Sequence, residues 1–315
     1  MAISTTSTVD DVFYSYLIEP MILSAASEHA QLSPLARQFD RTGPGSKGVQ
    51  VAVAGSIFGT PNDFGAGVDT EYNAAEATDL TSTTFSTSAV TAAASEYGVR
   101  IDVTDALLED AVDAVELLNV IESSMAAAIA LAIDDDMAAL FASLSNTVGT
   151  SGSDLTVAQF LSAFNGIRVR GNRAPDGLVA VISNQQASDL EGALVASSTS
   201  MAVYTLAADR FLAAAPGPNN GLINGQVMQF RGYPVFASGL CDTANAGADD
   251  VGAVFVPSTT ANDAFATYGL IMKREPRLET QRDASARSNE LVLTARVAPF
   301  ELRDNSGTAV ITDAA

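Results

Sequence analysis

The chain has 315 residues, enough for two or three compact units, and a formal charge of −21 from 37 acids and 16 bases. That balance excludes the basic footprint of a sequence-reading nucleic-acid binder. One cysteine, Cys241, excludes an intrachain disulfide and a Cys-based zinc site, and one histidine, His29, excludes His-rich metal sites and disfavours a catalytic triad.

The charge is uneven: residues 1–160 hold 22 acids and 4 bases, and residues 161–315 hold 15 acids and 12 bases. Such acidity favours solubility and discourages non-specific sticking to polyanions. Hydrophobic residues make up 47%, but aromatics only 7%, with no Trp. Much of the apolar content is Ala, which buries little area per residue, so stability is expected to lean on contacts between subunits. The bias to Asp and Arg fits either a salty habitat or a GC-rich genome. The opening MAISTTSTVDD has neither a basic nor an apolar stretch of a signal peptide, and the Met125–Ile133 run is cut by three Asp residues. The expectation is a chain made in the cytoplasm, with no membrane partner.

Residues 9–30 read as an amphipathic helix kinked near Pro20, an arm with Val12, Tyr16, Met21 and Leu23 on its apolar face. Arg37 to Gly48 is turn-rich. Val49–Phe58 opens as a strand, Gly59–Ser95 has little to bury, and Glu96–Val103 returns as a strand. Thr81–Thr91 has high β-propensity. A structureless loop of this length is improbable inside a compact domain. The segment is either disordered or an extended two-stranded arm lying on a neighbouring subunit.

Thr104–Ser145 carries apolar residues at helical spacing, including Leu118, Ile121, Met125, Ile129, Ile133 and Met137, with no Pro or Gly. Thr104 suits the N-cap, and Asp105, Glu109 and Asp110 suit the positive end of the dipole. One helix would span about 60 Å; two helices joined by an unmarked bend is the alternative. Asn146–Ser153 is a linker. Leu155–Arg168 reads as a helix with Thr156 as a possible cap, Gly177–Ile182 as a buried strand, and Asn184–Leu194 as a helix capped by Ser183 or Asn184. Gly221–Ala237 reads as a hairpin with turns at Asn224-Gly225 and Arg231-Gly232. Leu240–Asp250 is a polar loop and Val251–Pro257 a buried strand. Gly269–Leu278 and Glu290–Leu302 are strands flanking a charged stretch. In it Arg274, Glu275, Arg277, Glu279, Arg282, Asp283 and Arg287 alternate in sign and are candidate inter-subunit salt bridges, a solvated face being the plainer reading.

No pattern carries catalysis. Gly43-Pro44-Gly45-Ser46-Lys47-Gly48 matches a dinucleotide fingerprint only formally, because it precedes a strand and contains a proline, so it reads as a turn. There is no Walker A pattern and no G-x-S-x-G elbow. Asp134-Asp135-Asp136 diverge by about 100° per residue on a helix and read as a solvated face. Asp242–Asp250 resembles a calcium loop loosely but lacks its spacing and terminal Glu. Cys241 reads as a small buried hydrophobe. The expectation is a non-enzyme with no metal and no cofactor.

The order of these parts resembles the major capsid proteins of tailed double-stranded DNA bacteriophages, the Hong Kong 97-like fold. Local phrases carry the likeness. Leu155–Leu190, LTVAQFLSAFNGIRVRGNRAPDGLVAVISNQQASDL, looks like the helix–strand–helix of that fold's axial domain. Gly221–Ser238, GLINGQVMQFRGYPVFAS, is similar to the hairpin that follows, and Lys273–Asp304 to the final peripheral strands. The resemblance implies an α+β chain with an N-terminal arm at residues 1–40 and an extended β-hairpin, the E-loop, at 41–103. It implies a peripheral domain with a spine helix at 104–150, an α/β axial domain at 151–265, and peripheral return strands with the C-terminus at 266–315.

It further implies self-assembly as pentamers and hexamers into an icosahedral shell that encloses DNA without reading its sequence. A portal and possibly cement proteins are implied partners. The arm helix starts near Val9, so a separate scaffolding protein is expected. Some members cross-link an E-loop Lys to a neighbour's Asn. Here the Lys residues are Lys47 and Lys273, and Lys47 lies at the arm's base, so no cross-link is expected. The location implied is the virion, assembled in the host cytoplasm. Competing readings are an encapsulin-type nanocompartment shell, an acidic surface-layer protein and an unrecognised enzyme.

Overall fold

The computed structural model describes residues 31–40, 48–54, 87–110, 114–170, 177–196, 226–259 and 265–314. The expected arm helix with His29, the GPGSKG turn up to Lys47, the middle of the proposed E-loop and the Asn224-Gly225 turn lie outside the described residues.

Two sheets organise the chain. The first has four strands in the order β1 (Arg37–Asp40), β11 (Tyr268–Asp283), β12 (Ser288–Glu301) and β4 (Ser95–Thr104). β11 and β12 form a long antiparallel hairpin, β4 is antiparallel to β12, and β1 is parallel to β11. The charged stretch at 274–287 therefore continues β11 and turns into β12. A separate ribbon pairs β2 (Gly48–Ala54) with β3 (Thr87–Ala93). This alters the expected arm: the strand returning from it is β3, whereas 95–104 belongs to the body of its own chain. The alternation of Tyr97, Val99, Ile101 and Val103 explains why, since it gives β4 one apolar face to bury.

Helix formation starts where the sequence indicates. The Thr104 hydroxyl accepts the Leu107 amide at 3.3 Å, and α1 (Asp105–Asp110) follows. After the undescribed 111–113, α2 runs from Ala114 to Ala139, 26 residues or about 39 Å. A 3-10 turn, Leu140–Ser143, ends it, and Leu144 is extended. The described helix is thus shorter than the 60 Å expected. By length and composition alone Leu117–Ser143 is long and apolar enough to cross a membrane. In the fold, however, Leu118, Met125, Ala126, Ile129 and Met137 are buried in the core. They share it with Val103 of β4 and with Leu291, Leu293 and Ala295 of β12.

The second sheet has the order β5 (Thr147–Val148), β13 (Gly307–Asp313), β10 (Asp249–Phe255), β6 (Val179–Ile182), β8 (Tyr233–Ala237) and β7 (Gln226–Phe230), with β9 (Thr243–Ala244) beside β10. β6 and β8 are parallel. Residues 307–313, expected only as the C-terminus of the 266–315 peripheral segment, form β13 and pair with β10. Local alternation marks a strand but not its partner.

One face of the second sheet meets the first core, where Phe141, Phe255 and Tyr268 pack ring to ring. The other face is covered by α3 (Val157–Arg170) and α4 (Asn184–Ala196). There Phe160, Phe164, Phe230 and Tyr233 form a second aromatic cluster.

Both helices begin with a capping box. Thr156 and Gln159 exchange side-chain and backbone bonds at the start of α3. Ser183 and Gln186 do so at the start of α4, which makes Ser183 the cap. The Gln186 amide also donates to Asp250 O, Val310 O and Thr312 Oγ1, each at 3.0 Å. The turn at Arg231-Gly232 has both residues at positive φ, 53° and 87°, as a two-residue hairpin of this twist requires.

Asp249, where the polar loop enters β10, is buried. Its carboxylate accepts Ser151 Oγ at 2.6 Å, the Gly152 amide at 2.9 Å and the Asn245 side chain. These bonds, Ser151's first, hold it below the usual carboxylate range. The loop's acid is satisfied by its own chain, and no cluster of metal-ligating side chains occurs among the described residues. Cys241 is half-buried against the first core, and burial pushes its thiol up to about 12.

Candidate assembly surfaces

The first surface is the junction of the spine helix with the two extended segments. Asp134 was read as solvated; instead it is 1% exposed. Its carboxylate accepts the amides of Gln31 at 2.6 Å, Leu32 at 3.0 Å and Ser33 at 2.9 Å, and the Ser33 hydroxyl at 2.6 Å. It caps the 3-10 turn Ser33–Leu35 from another element, satisfying amides that a helix start leaves open. Asp136 accepts the Tyr97 hydroxyl of β4. Burial first, and then this carboxylate, raise the Tyr97 pKa well above its ordinary value. Asp135 is exposed. The divergence of the three acids thus sends two of them to different partners: one holds the incoming N-terminal segment, the other β4.

The second surface is the face of the four-stranded sheet turned away from α2. The register sets its side chains in rows. Arg274 of β11 stands beside Arg296 of β12, and Arg296 beside Glu96 of β4. The next rows are Arg277–Thr294–Gly98, Glu279–Val292–Arg100 and Gln281–Glu290–Asp102. At the other end Ile271, Ala298 and Phe300 are buried under Val51, Ala92 and Ala94, where the β2–β3 ribbon attaches.

The seven candidate residues fall in different settings. Arg274 pairs with Glu96. Arg277 reaches Glu279 at 3.5 Å, both well exposed. Arg282 grips Asp105 of α1 with two bonds of 2.5 and 2.6 Å. That contact holds the Asp105 carboxyl below its ordinary range and raises Arg282. Asp283 accepts the Ser285 hydroxyl and the Ser285 and Ala286 amides, so it shapes the turn. Arg287 sits at φ 51° in that turn, and its carbonyl accepts the Asp105 amide at 3.0 Å. Glu275 is exposed and has no hydrogen bond or ion pair among the described residues.

Five of the seven, Arg274, Arg277, Glu279, Arg282 and Asp283, therefore take side-chain partners within one chain. Sequence reasoning missed Glu96, Arg100, Asp105 and Arg296. Period-two spacing at 96, 98, 100 and 102 was the signal that could have put two of these on one face.

No protein-family model matches the sequence, and no curated protein matches it. Solved structures do. A capsid chain of the cyanophage P-SCSP1u aligns with TM-score 0.61 and 13% identity, covering 91% of this chain and 89% of that one. The capsid of an empty GTA particle aligns with TM-score 0.58 and 13% identity over 91% and 90%. A virus-like particle from Pyrococcus furiosus aligns with TM-score 0.57 and 8% identity over 94% and 99%. This chain has the Hong Kong 97-like capsid fold. The α+β architecture follows that fold along nearly its whole length, so the sheets and the long helix are shared parts of one design. At these identities the side chains on the two surfaces are this chain's own.

Proposed function

We propose that this chain is the major capsid protein of a tailed double-stranded DNA phage, acting as a structural subunit without catalysis. The observation that carries the proposal is coverage in both directions. About nine-tenths of this chain matches about nine-tenths of capsid chains. Copies join as pentamers and hexamers in an icosahedral shell that encloses DNA without sequence reading. The working division is an N-terminal arm, an E-loop on the β2–β3 ribbon, a peripheral sheet with α2 as spine, and an axial unit around the second sheet. The ribbon reaches over a neighbouring subunit, and the exposed charges near Arg274 and Glu275 meet that neighbour. A separate scaffolding protein, a portal and optional cement proteins complete the particle, which forms in the host cytoplasm and persists in the virion. The acidity keeps the inner wall from adhering to packed phosphates.

Negative-stain electron microscopy of the purified chain, alone and co-expressed with its scaffold, tests this. Closed shells of capsid size are expected. Small protein-filled shells would favour a nanocompartment, and monomers under both conditions would defeat the proposal.

A further inference from the structure

The face opposite α2 holds two guanidinium groups that the chain itself leaves incompletely paired. Arg296 makes no hydrogen bond or ion pair among the described residues. Its neighbour across the register, Arg274, has one partner, Glu96. The Nε atoms of both arginines are buried without an acceptor. Buried donors without partners are uncommon in folded proteins because their desolvation is uncompensated. Two adjacent guanidiniums with one carboxylate between them lack an anion, and a carboxylate matches their planar donor fork.

We propose that Arg274 and Arg296 form a receiving site for carboxylates from the arm of a second copy of this chain, residues 55–86. The inference rests on the shell reading and names the contact that reading needs. Residues 55–86 contain Asp63, Asp69, Glu71, Glu76 and Asp79 and no Lys or Arg. They are the complementary charge, and every copy brings them. The fold also argues against a chain filling its own site. Going back from Ser95, which lies beside Val297, the ribbon passes over Ala298 and Phe300. It leaves the sheet beyond Arg296, at the end opposite Arg277. Its seven paired residues span about 23 Å in all, and Val51 and Ala92 among them still pack on the sheet. A second copy's arm meets no such reversal. Nucleic acid is the less suitable anion, since the same face ends in Glu279, Glu290 and Asp102.

The test uses two full-length variants, nuclease-treated throughout. The first carries R274E and R296E; the second carries E71K, E76K and D79K. Assembly is read by sedimentation velocity and electron microscopy, with melting curves to confirm folding. Each variant alone should lose assembled mass by about tenfold or more, because like charges now face each other. Mixed in equal amounts they should co-assemble, since each arm then finds an opposite charge on the other variant. The milder R274Q and R296Q pair should weaken assembly without lowering the melting temperature. Normal assembly of the first variant, or no recovery on mixing while both variants fold, overturns the inference; the latter result means that each arm serves its own chain or another surface. Failure of the parent chain itself to assemble would instead sink the shell reading, so the two failures are distinguishable.

Discussion

The Asp134 carboxylate accepts both the backbone amide and the hydroxyl of Ser33, at 2.9 and 2.6 Å, across 101 positions of sequence. One buried side chain thereby fixes where the N-terminal segment joins the spine helix. Asp134→Ala leaves the amides of Gln31, Leu32 and Ser33 without their shared acceptor. Bonds to a charged group are worth about 1.5–3 kcal/mol each in isolation, and a shared acceptor yields less than their sum. The expected loss is about 2–4 kcal/mol in thermal or urea unfolding. Trypsin should also cut faster at Arg37, two residues beyond the released turn. Unchanged stability and unchanged cleavage would show that the junction is held elsewhere.

The acid at Glu122 gives a pH dependence. It is 2% exposed on the stripe of α2 that contains Leu118 and Met125, and its Oε2 has no partner. Burial raises its pKa from 4.5 to about 7. Val99, Ile101, Leu291, Leu293 and Ala295 of β4 and β12, which share this core, are apolar, and Tyr97 is engaged by Asp136. Below pH 4.5 the group is protonated in both states and costs nothing. As pH rises through 7 the unfolded chain gains the ionised form more readily, so folding stability falls. The full effect is about 3 kcal/mol at most. Glu122→Gln should therefore gain stability relative to the parent between pH 5 and pH 8. Parallel unfolding curves for the two chains across that range would refute the assignment.

Much of the local fold was legible in the sequence. The cap at Thr104, the capping boxes at Thr156 and Ser183 and the Arg231-Gly232 turn follow from neighbouring residues alone. The parts that differed all depend on distant partners. Asp134 reads as a solvated acid until Ser33 is brought to it, and residues 307–313 read as a peripheral C-terminus until β10 pairs with them as β13. The arm was assigned the wrong return strand for the same reason: β3 and β4 are adjacent and both extended, and only the pairing separates them. The charged face was half legible. Its seven alternating residues were visible, but Arg296 and Glu96 join it only through register.

Gly252 in β10 marks where α4 docks on the second sheet. A Cβ there would lie 2.6 Å from Gln186 Oε1 and 2.9 Å from Val181 O. Gln186 cannot move aside without giving up its three acceptors on β10 and β13. Gly252→Ala should cost about 2–3 kcal/mol through overpacking. Combined with Gln186→Ala, the loss should be smaller than the sum of the two, because the clash and the bonds share one side chain. Additive losses in a double-mutant cycle would mean that the backbone clash at Val181 dominates.

Tyr268 offers the opposite sign. Its ring is 1% exposed between Phe141 and Phe255, and its hydroxyl is buried without a hydrogen bond among the described residues. Burial, reinforced by Glu301 and Asp304, keeps that hydroxyl firmly protonated. It therefore adds no charge and no bond, only the cost of leaving water. Tyr268→Phe retains the ring contacts and removes the orphaned oxygen, so it should stabilise the chain by about 1 kcal/mol. Removing a buried oxygen also leaves a small void, which sets the limit on that gain. Urea unfolding at fixed pH measures the difference. A loss of more than about 1 kcal/mol would mean that the hydroxyl is engaged after all, and that the aromatic cluster joining the two sheets depends on it.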